Sequence, residues 1–249
     1  MNDISASPIL DSALARKLSA FAPLSVSDHL VLSDLHRRRR RYLAGVDMIH
    51  QGQTRSSAFI LASGWACSYK LLPGGARQIV SVQIPGDVLG LRSALLPRSD
   101  QSVEPITPIH ASEMPQRELL DALARSPGLA LAVLLSAANE AAMLAEHLVN
   151  LGRRTAAERM GHFLLELGAR LRRVGLGDGS GYHCPLSQYV LADTLGLSAV
   201  HVNRVLRELR QQGLVTFQKG RVDFHDLAAL VAFAGFDRSY LDHDQPMSA

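Results

Sequence analysis

The chain has 249 residues, 47% hydrophobic and 20% charged, which is enough apolar mass for two packed cores and too little charge for extensive disorder. The 26 Lys and Arg against 23 Asp and Glu leave a net charge of +3, which suits a polyanionic partner without identifying one. Cys67 and Cys184 are the only cysteines, in no Cys-x-x-Cys pair or Cys/His cluster, so the usual signatures of a disulfide framework, a structural zinc site and a four-thiolate iron–sulfur cluster are missing.

No run of about 18 apolar residues occurs, and Met1 to Leu10 lacks the basic start and apolar stretch of a secretory leader, so a cytoplasmic location with no membrane partner is expected. Leu10 to Phe21 and Ser27 to Leu35 read as short helices, the second with Ser27 as its N-cap. Arg37 to Arg41 is an uninterrupted basic run. It reads as a solvated strand edge, because alternate residues there point outward and charge deters edge-to-edge pairing.

Asp47 to His50, Ala58 to Ala62, Trp65 to Leu71 and Gln78 to Ile84 then read as strands. Turns at Gln51-Gly52, Ser63-Gly64, Pro73-Gly74-Gly75 and Pro85-Gly86-Asp87 separate them, with Gly supplying positive φ and Pro its fixed φ. The spacing predicts a small antiparallel roll with Trp65 in its core. His50 and His110 lie near strands without ligand spacing and read as structural.

After Pro127 the composition turns to Ala, Leu, Met, Glu and Asn, and Leu129 to Leu151 contains no Gly or Pro, which predicts a long helix. Ala130, Leu134, Ala137, Ala141, Leu144, Leu148 and Leu151 recur in steps of four and three, the spacing of a coiled-coil seam. A dimer interface at Leu134, Ala137, Ala141, Leu144, Leu148 and Leu151 follows, although a core helix within one subunit has the same period. Thr155 to Val174 reads as a second helix, with Met160, Phe163, Leu164, Leu167 and Leu171 on one face. A loop with Gly175, Gly177, Gly179 and Gly181 follows it. The polar tail after Tyr240 reads as frayed.

Between them lies the most informative segment. Ser187 is placed to cap a helix running to Leu195, Gly196 ends it, Ser198 caps a second helix from Ala199 to Gln212, and Gly213 stops that one. Two short helices joined by Gly196-Leu197-Ser198 form the angled pair that admits the second helix to the DNA major groove. Val202, Val205, Leu206 and Leu209 make its buried stripe, leaving Val200, His201, Asn203, Arg204 and Arg207 outward. Arg makes bidentate contacts to guanine, Asn to adenine, and an apolar group touches the thymine methyl, so this face has the chemistry to read bases. Leu214 to Phe224 alternates like a hairpin turning at Lys219-Gly220, a wing that brings Lys219 or Arg221 to a phosphate.

The motif LSQYVLADTLGLSAVHVNRVLRELRQQGLV (Leu186 to Val215), with MIHQGQ (Met48 to Gln53) and QIPGDVLG (Gln83 to Gly90), resembles the Crp/Fnr superfamily of bacterial regulators over nearly the whole chain. The resemblance implies a homodimer that reads a palindrome in double-stranded DNA, with Val200, Asn203 and Arg204 at the base-reading positions. It also implies RNA polymerase as a partner if the protein is an activator. Many members carry Glu where Val200 stands, and valine cannot accept from a cytosine amino group. The family's cyclic-nucleotide binders use a Gly-Glu pair for the ribose and an Arg-Ser or Arg-Thr pair for the phosphate. Gly90-Leu91 and Gln101-Ser102 stand at these places, so the effector pocket, taken as Gly90, Leu91, Arg92, Ser93, Gln101 and Ser102, argues against a cyclic nucleotide unless Arg92 or Arg98 replaces the missing charge. The Cys-rich N-terminus of the iron–sulfur members is absent, and no cofactor or metal is identified.

The expected fold is α+β: an N-terminal antiparallel β jelly roll with its helices over 1–127, a long dimerisation helix over 128–152, and a C-terminal winged helix-turn-helix over 153–249. Ser187, Ser198, Val200, His201, Asn203, Arg204, Arg207 and Lys219 are the DNA-binding candidates. No GxSxG elbow, phosphate-binding glycine loop or HExxH is present, and no catalytic residue is assigned. The alternative is a small-molecule or redox sensor acting through protein contacts rather than DNA, in which Cys184 is a switch if its thiolate is stabilised.

Overall fold

The computed structural model describes residues 12–54 and 56–241, so the leader reading of Met1 to Leu10 and the tail from Asp242 onward lie outside the described residues. The chain forms two compact units. Among the described residues, those up to Ser68 and Gln83–Ala138 make one, and Tyr69–Val82 clusters with 139–241 in the other.

The first unit opens with α1 (Ala13–Ser19), capped by Ser12, and α2 (Val26–Leu35). The cap of α2 is Ser25, not Ser27. Ser25 and Asp28 form a reciprocal capping box, whereas Ser27 has Leu30 three residues on and nothing to return its bond. The basic run supplies β1 (Arg39–Tyr42), an exposed edge strand paired with β7 as expected of a solvated edge.

The expected strand at Asp47 to His50 shrinks to a single bridge between Ile49 and Val103. The strands that follow are β2 (Ala58–Ser63), β3 (Ala66–Leu71), β4 (Arg77–Gln83), β5 (Val88–Leu89), β6 (Ser102–Pro105) and β7 (Ile109–Met114). A short helix α3 (Leu91–Leu95) sits between β5 and β6, and α4 (Gln116–Arg125) follows β7. They make two sheets, ordered β1-β7-β2-β5 and β4-β3-β6.

Strand β2 shows why the roll holds. Ala58 and Ile60 pack with Leu14, Leu18, Leu32 and Leu129 on one side, while Phe59 and Leu61 pack with Ile49, Leu89, Val103 and Ile109 on the other. Residues of a strand alternate between faces, so a strand covered on both sides reads as an unbroken apolar run. Trp65 is buried, as expected. Helix α5 (Pro127–Arg153) contributes to both units.

In the second unit, Thr155 and Glu158 form the capping box of α6 (Ala156–Arg173), and the five apolar residues expected on one face are all buried. After the glycine loop come β8 (Gly181–His183), α7 (Gln188–Leu195), α8 (Ala199–Gln211), β9 (Val215–Gln218), β10 (Arg221–Phe224), α9 (Leu227–Ala234) and a 3-10 turn at Arg238–Tyr240. Strand β8 joins the wing hairpin in a sheet ordered β8-β10-β9. Lys219 (φ 50°) and Gly220 (φ 72°) both take positive φ at the hairpin's turn, the geometry that matches the strands' right-handed twist.

Candidate nucleic-acid interface

Two serines start the helix pair. The Ser187 hydroxyl accepts from the Val190 amide and the Ser198 hydroxyl from the His201 amide, each at 3.2 Å. Both O–H groups keep a proton to donate elsewhere. Between the helices the chain must reverse sharply, and Gly196 does so in the left-handed region, at φ 63°, while its amide donates to the Ala192 carbonyl. Helix α8 buries Val202, Val205 and Leu209. Leu206 is half-buried at the stripe's border rather than inside it, facing the cleft toward the wing.

That packing turns the predicted reading face outward. Val200 is 80% exposed, Asn203, Arg204 and Arg207 are exposed, and His201 is half-exposed. Arg204 lies 2.9 Å from His201 Nε2, while Arg207 and Lys219 have no ion-pair or hydrogen-bond partner among the described residues. On the wing, Arg221 pairs with Asp223 at 2.6 Å, which leaves Lys219 as the better placed of the two for a phosphate. A cleft of about 240 Å³ between α8 and the wing is lined by Asn203, Arg207, Arg210, Phe217, Gln218 and Gln188.

Sequence reasoning missed Gln188. Its carboxamide faces that of Asn203: Asn203 Nδ2 donates to Gln188 Oε1 at 2.7 Å, and Gln188 Nε2 donates back to Asn203 Oδ1. No local rule links residues fifteen positions apart. Only the crossing of α7 and α8 brings the first turn of one beside the second turn of the other.

The helix pair is held from behind. Arg77 meets Asp193 at 2.7 Å and Gln78 donates to the Thr194 carbonyl at 3.1 Å, both on the C-terminal half of α7. Below them α6 carries a buried polar row. Glu166 is 3.1 Å from His147 and 3.6 Å from Arg170, and it accepts from the Tyr240 hydroxyl at 3.0 Å. Burial alone would raise the Glu166 carboxyl, but His147 and Arg170 beside it hold it below the usual carboxylate range. Burial would lower His147, and the Glu166 charge outweighs it and raises it. One turn earlier, His162 Nδ1 accepts from Asn150 Nδ2 at 3.1 Å and its ring stacks on Tyr240. Burial, helped by the Arg154 charge, pushes His162 down to about 4.

In the roll, Gly90 to Ser93 open α3, and Ser99 and Asp100 tie that helix to the segment before β6. Gly90 takes φ 65°, in the left-handed region that favours glycine, and a Cβ there would sit 2.2 Å from Ile49 Cδ1 and push that side chain aside. Arg92 is bound to Asp100 at 2.5 Å. Ser93 and Ser99 share a buried hydrogen bond of 2.6 Å, Ser99 donates to the Gln101 carbonyl, and Ser102 accepts from the Gln51 amide at 3.0 Å. Gln101 Oε1 is buried with no partner among the described residues. Leu91 is half-buried and offers no polar atom.

Along α5, Leu129, Ala132, Ser136, Asn139, Met143 and Asn150 are buried. Of the expected seam, Leu134 (66%) and Leu148 (72%) are strongly exposed and Ala141 and Leu151 (39%) are exposed, whereas Ala137 and Leu144 are half-buried. The exposed row runs Leu134, Ala138, Ala141, Ala145, Leu148, keeping the four-three spacing with the C-terminal neighbours of Ala137 and Leu144 in their places. This helix is also long and apolar enough to cross a membrane by length and composition.

Cys184 is buried, and burial pushes its thiol up to about 12, the opposite of a redox-active thiolate. His50 sits at the surface against Asp47 at 3.0 Å, and His110 lies 3.2 Å from Ser63. Among the described residues no group of three or more His, Cys, Asp or Glu is gathered for a metal.

A model of the cyclic nucleotide-binding domain matches residues 39–126, and one of the Crp-like helix-turn-helix domain matches residues 158–233. The nitrogen fixation regulation protein FixK of Bradyrhizobium diazoefficiens is 30% identical over 227 residues, 91% of each chain. The transcriptional activator protein FnrA of Stutzerimonas stutzeri is 27% identical over 215 residues, 85% of this chain and 86% of its own. Among solved structures, FixK2 from Bradyrhizobium japonicum superposes with a TM-score of 0.71 at 27% identity, covering 79% of this chain and 96% of that one. These relatives are regulators of transcription, not enzymes.

Proposed function

From the premise that the chain belongs to the Crp/Fnr family of bacterial DNA-binding transcription regulators, we propose how it binds and what it answers to. It acts in the cytoplasm as a homodimer paired along α5 through Leu134, Ala141 and Leu148, with Leu151 at the end of the seam. The two copies of α8 then lie about 34 Å apart and enter successive major grooves on one face of a palindrome.

The single observation that carries this reading is the exposed face of α8, where Val200, His201, Asn203, Arg204 and Arg207 lie together above a buried apolar stripe. Arg204 reads guanine, Val200 packs on a thymine methyl, and Arg207 and Lys219 neutralise phosphates, with the Ser187 and Ser198 hydroxyls donating to the backbone. A sensor that acts only by protein contacts has no use for such a face.

The roll does not take a cyclic nucleotide in the manner of the family's nucleotide binders. Arg92, the nearest candidate for the missing cationic fork, is committed to Asp100, and the Ser93–Ser99 bond closes the segment on itself. Its control lies with another effector or in constitutive activity, and contact with RNA polymerase follows if it activates. Gel shifts with genomic fragments of the host, at moderate salt and with or without host lysate, test the DNA reading. Site-selective shifts are expected, and their absence in both conditions refutes it.

A further inference from the structure

We infer that Gln188 is a specificity-determining residue that acts through Asn203, by occupying the carboxamide edge with which Asn203 reads adenine. The inference rests on α8 being the reading helix. In the major groove, adenine offers one donor, N6–H, and one acceptor, N7, and an asparagine carboxamide meets both with its oxygen and its NH2. The Gln188 carboxamide offers the same pair, one N–H and one oxygen, and already makes both bonds to Asn203. It is a surrogate for the adenine edge carried by the protein itself.

Asn203 must release Gln188 before it pairs with adenine, so the bonds gained on DNA replace bonds already made. The net preference for adenine at the facing position is therefore suppressed, while Arg204, whose nearest partner is a histidine ring, keeps its discrimination. Both residues line the cleft between α8 and the wing. Both side chains are exposed, so neither supports the core, and loss of Gln188 is not a packing defect.

The test is a selection from a randomised palindromic duplex library with the full-length protein, its Gln188→Ala and Asn203→Ala variants and the double variant, followed by anisotropy titrations on single-base series. Wild type is expected to show little adenine preference at the position that Asn203→Ala affects. Gln188→Ala should raise it about three- to tenfold there and nowhere else, the size of one or two surface hydrogen bonds released. In the Asn203→Ala background, Gln188→Ala should change nothing at that position, since the effect passes through Asn203.

Identical base profiles for wild type and Gln188→Ala would overturn the inference, as would a uniform loss across all sequences with an unchanged thermal midpoint. If none of the four proteins selects any sequence, it is the assignment of α8 as the reading helix that fails.

Discussion

Replacing Leu148 by Glu should dissociate the dimer. The Leu148 side chain is 72% exposed, at the C-terminal end of an exposed row whose alanines let two helices approach closely. Full burial of a leucine is worth about 1.5–3 kcal/mol, so covering the exposed share is worth about 1–2 kcal/mol. A parallel two-fold pairing buries two copies, one from each protomer, and the substitution therefore removes about 2–4 kcal/mol, with repulsion between facing carboxylates in addition. That corresponds to a dimer dissociation constant weakened about 30- to 1,000-fold.

Sedimentation equilibrium across nanomolar to micromolar protein measures it directly, and circular dichroism confirms that α5 remains helical. Leu144→Glu is the comparison. That residue is half-buried inside the protomer, so its loss should lower the unfolding midpoint more than the dimer constant. A Leu148→Glu protein that dimerises as tightly as wild type would refute the seam and the register assigned to it.

Two substitutions on the DNA side separate reading from gripping. Arg204→Ala should relax one base position by about 1–3 kcal/mol, measured on single-base operator variants, whereas Lys219→Ala should weaken all sequences alike and reduce the salt slope of log K by about one. Stability should also respond to acid in a defined window. His162 is held neutral near 4 in the folded chain against 6.5 when unfolded, so the unfolded chain binds its proton first. Its contribution, up to about 3 kcal/mol, is present above pH 6.5, falls as the pH drops from 6.5 and is gone at 4. His36, also held near 4 by burial and Arg39, adds in the same direction. Urea unfolding at pH 7 and 4.5 should show His162→Phe losing less stability across that interval than wild type, and an equal loss would argue against His162 as a source.

The helix-turn-helix was readable because its signals are local. Ser187, Gly196, Ser198 and Gly213 mark the helix ends within a turn of where they act, and Val202, Val205 and Leu209 repeat at helical spacing. The strands β5, β6 and β7 were not placed. Val88–Leu89 is too short to show a period, and Ser102–Pro105 is mostly buried without an alternating pattern. The choice between Ser25 and Ser27 turned on an acid three residues on, and Asp28 supplied it only to Ser25. The long helix's period was legible, but which residues of it are exposed was not, since alanine and leucine occur on nearly every face of it: Ala138 and Ala145 are exposed where Ala137 and Leu144 are half-buried. The Gln188–Asn203 pair depends on a crossing that no spacing in the sequence encodes.

The buried polar row of α6 has a mechanical meaning. His162, Glu166 and Arg170 follow one another at intervals of four, each with its own buried partners, on a helix whose other faces are packed with leucine, methionine and phenylalanine. An all-apolar helix tolerates rolling about its axis, since one leucine replaces another. Here a roll of one residue strands a carboxylate in the interior, at a cost of several kcal/mol. The row works as a key in a slot: α6 has one permitted azimuth, and the reading helix packed against it inherits a fixed heading rather than a range of them.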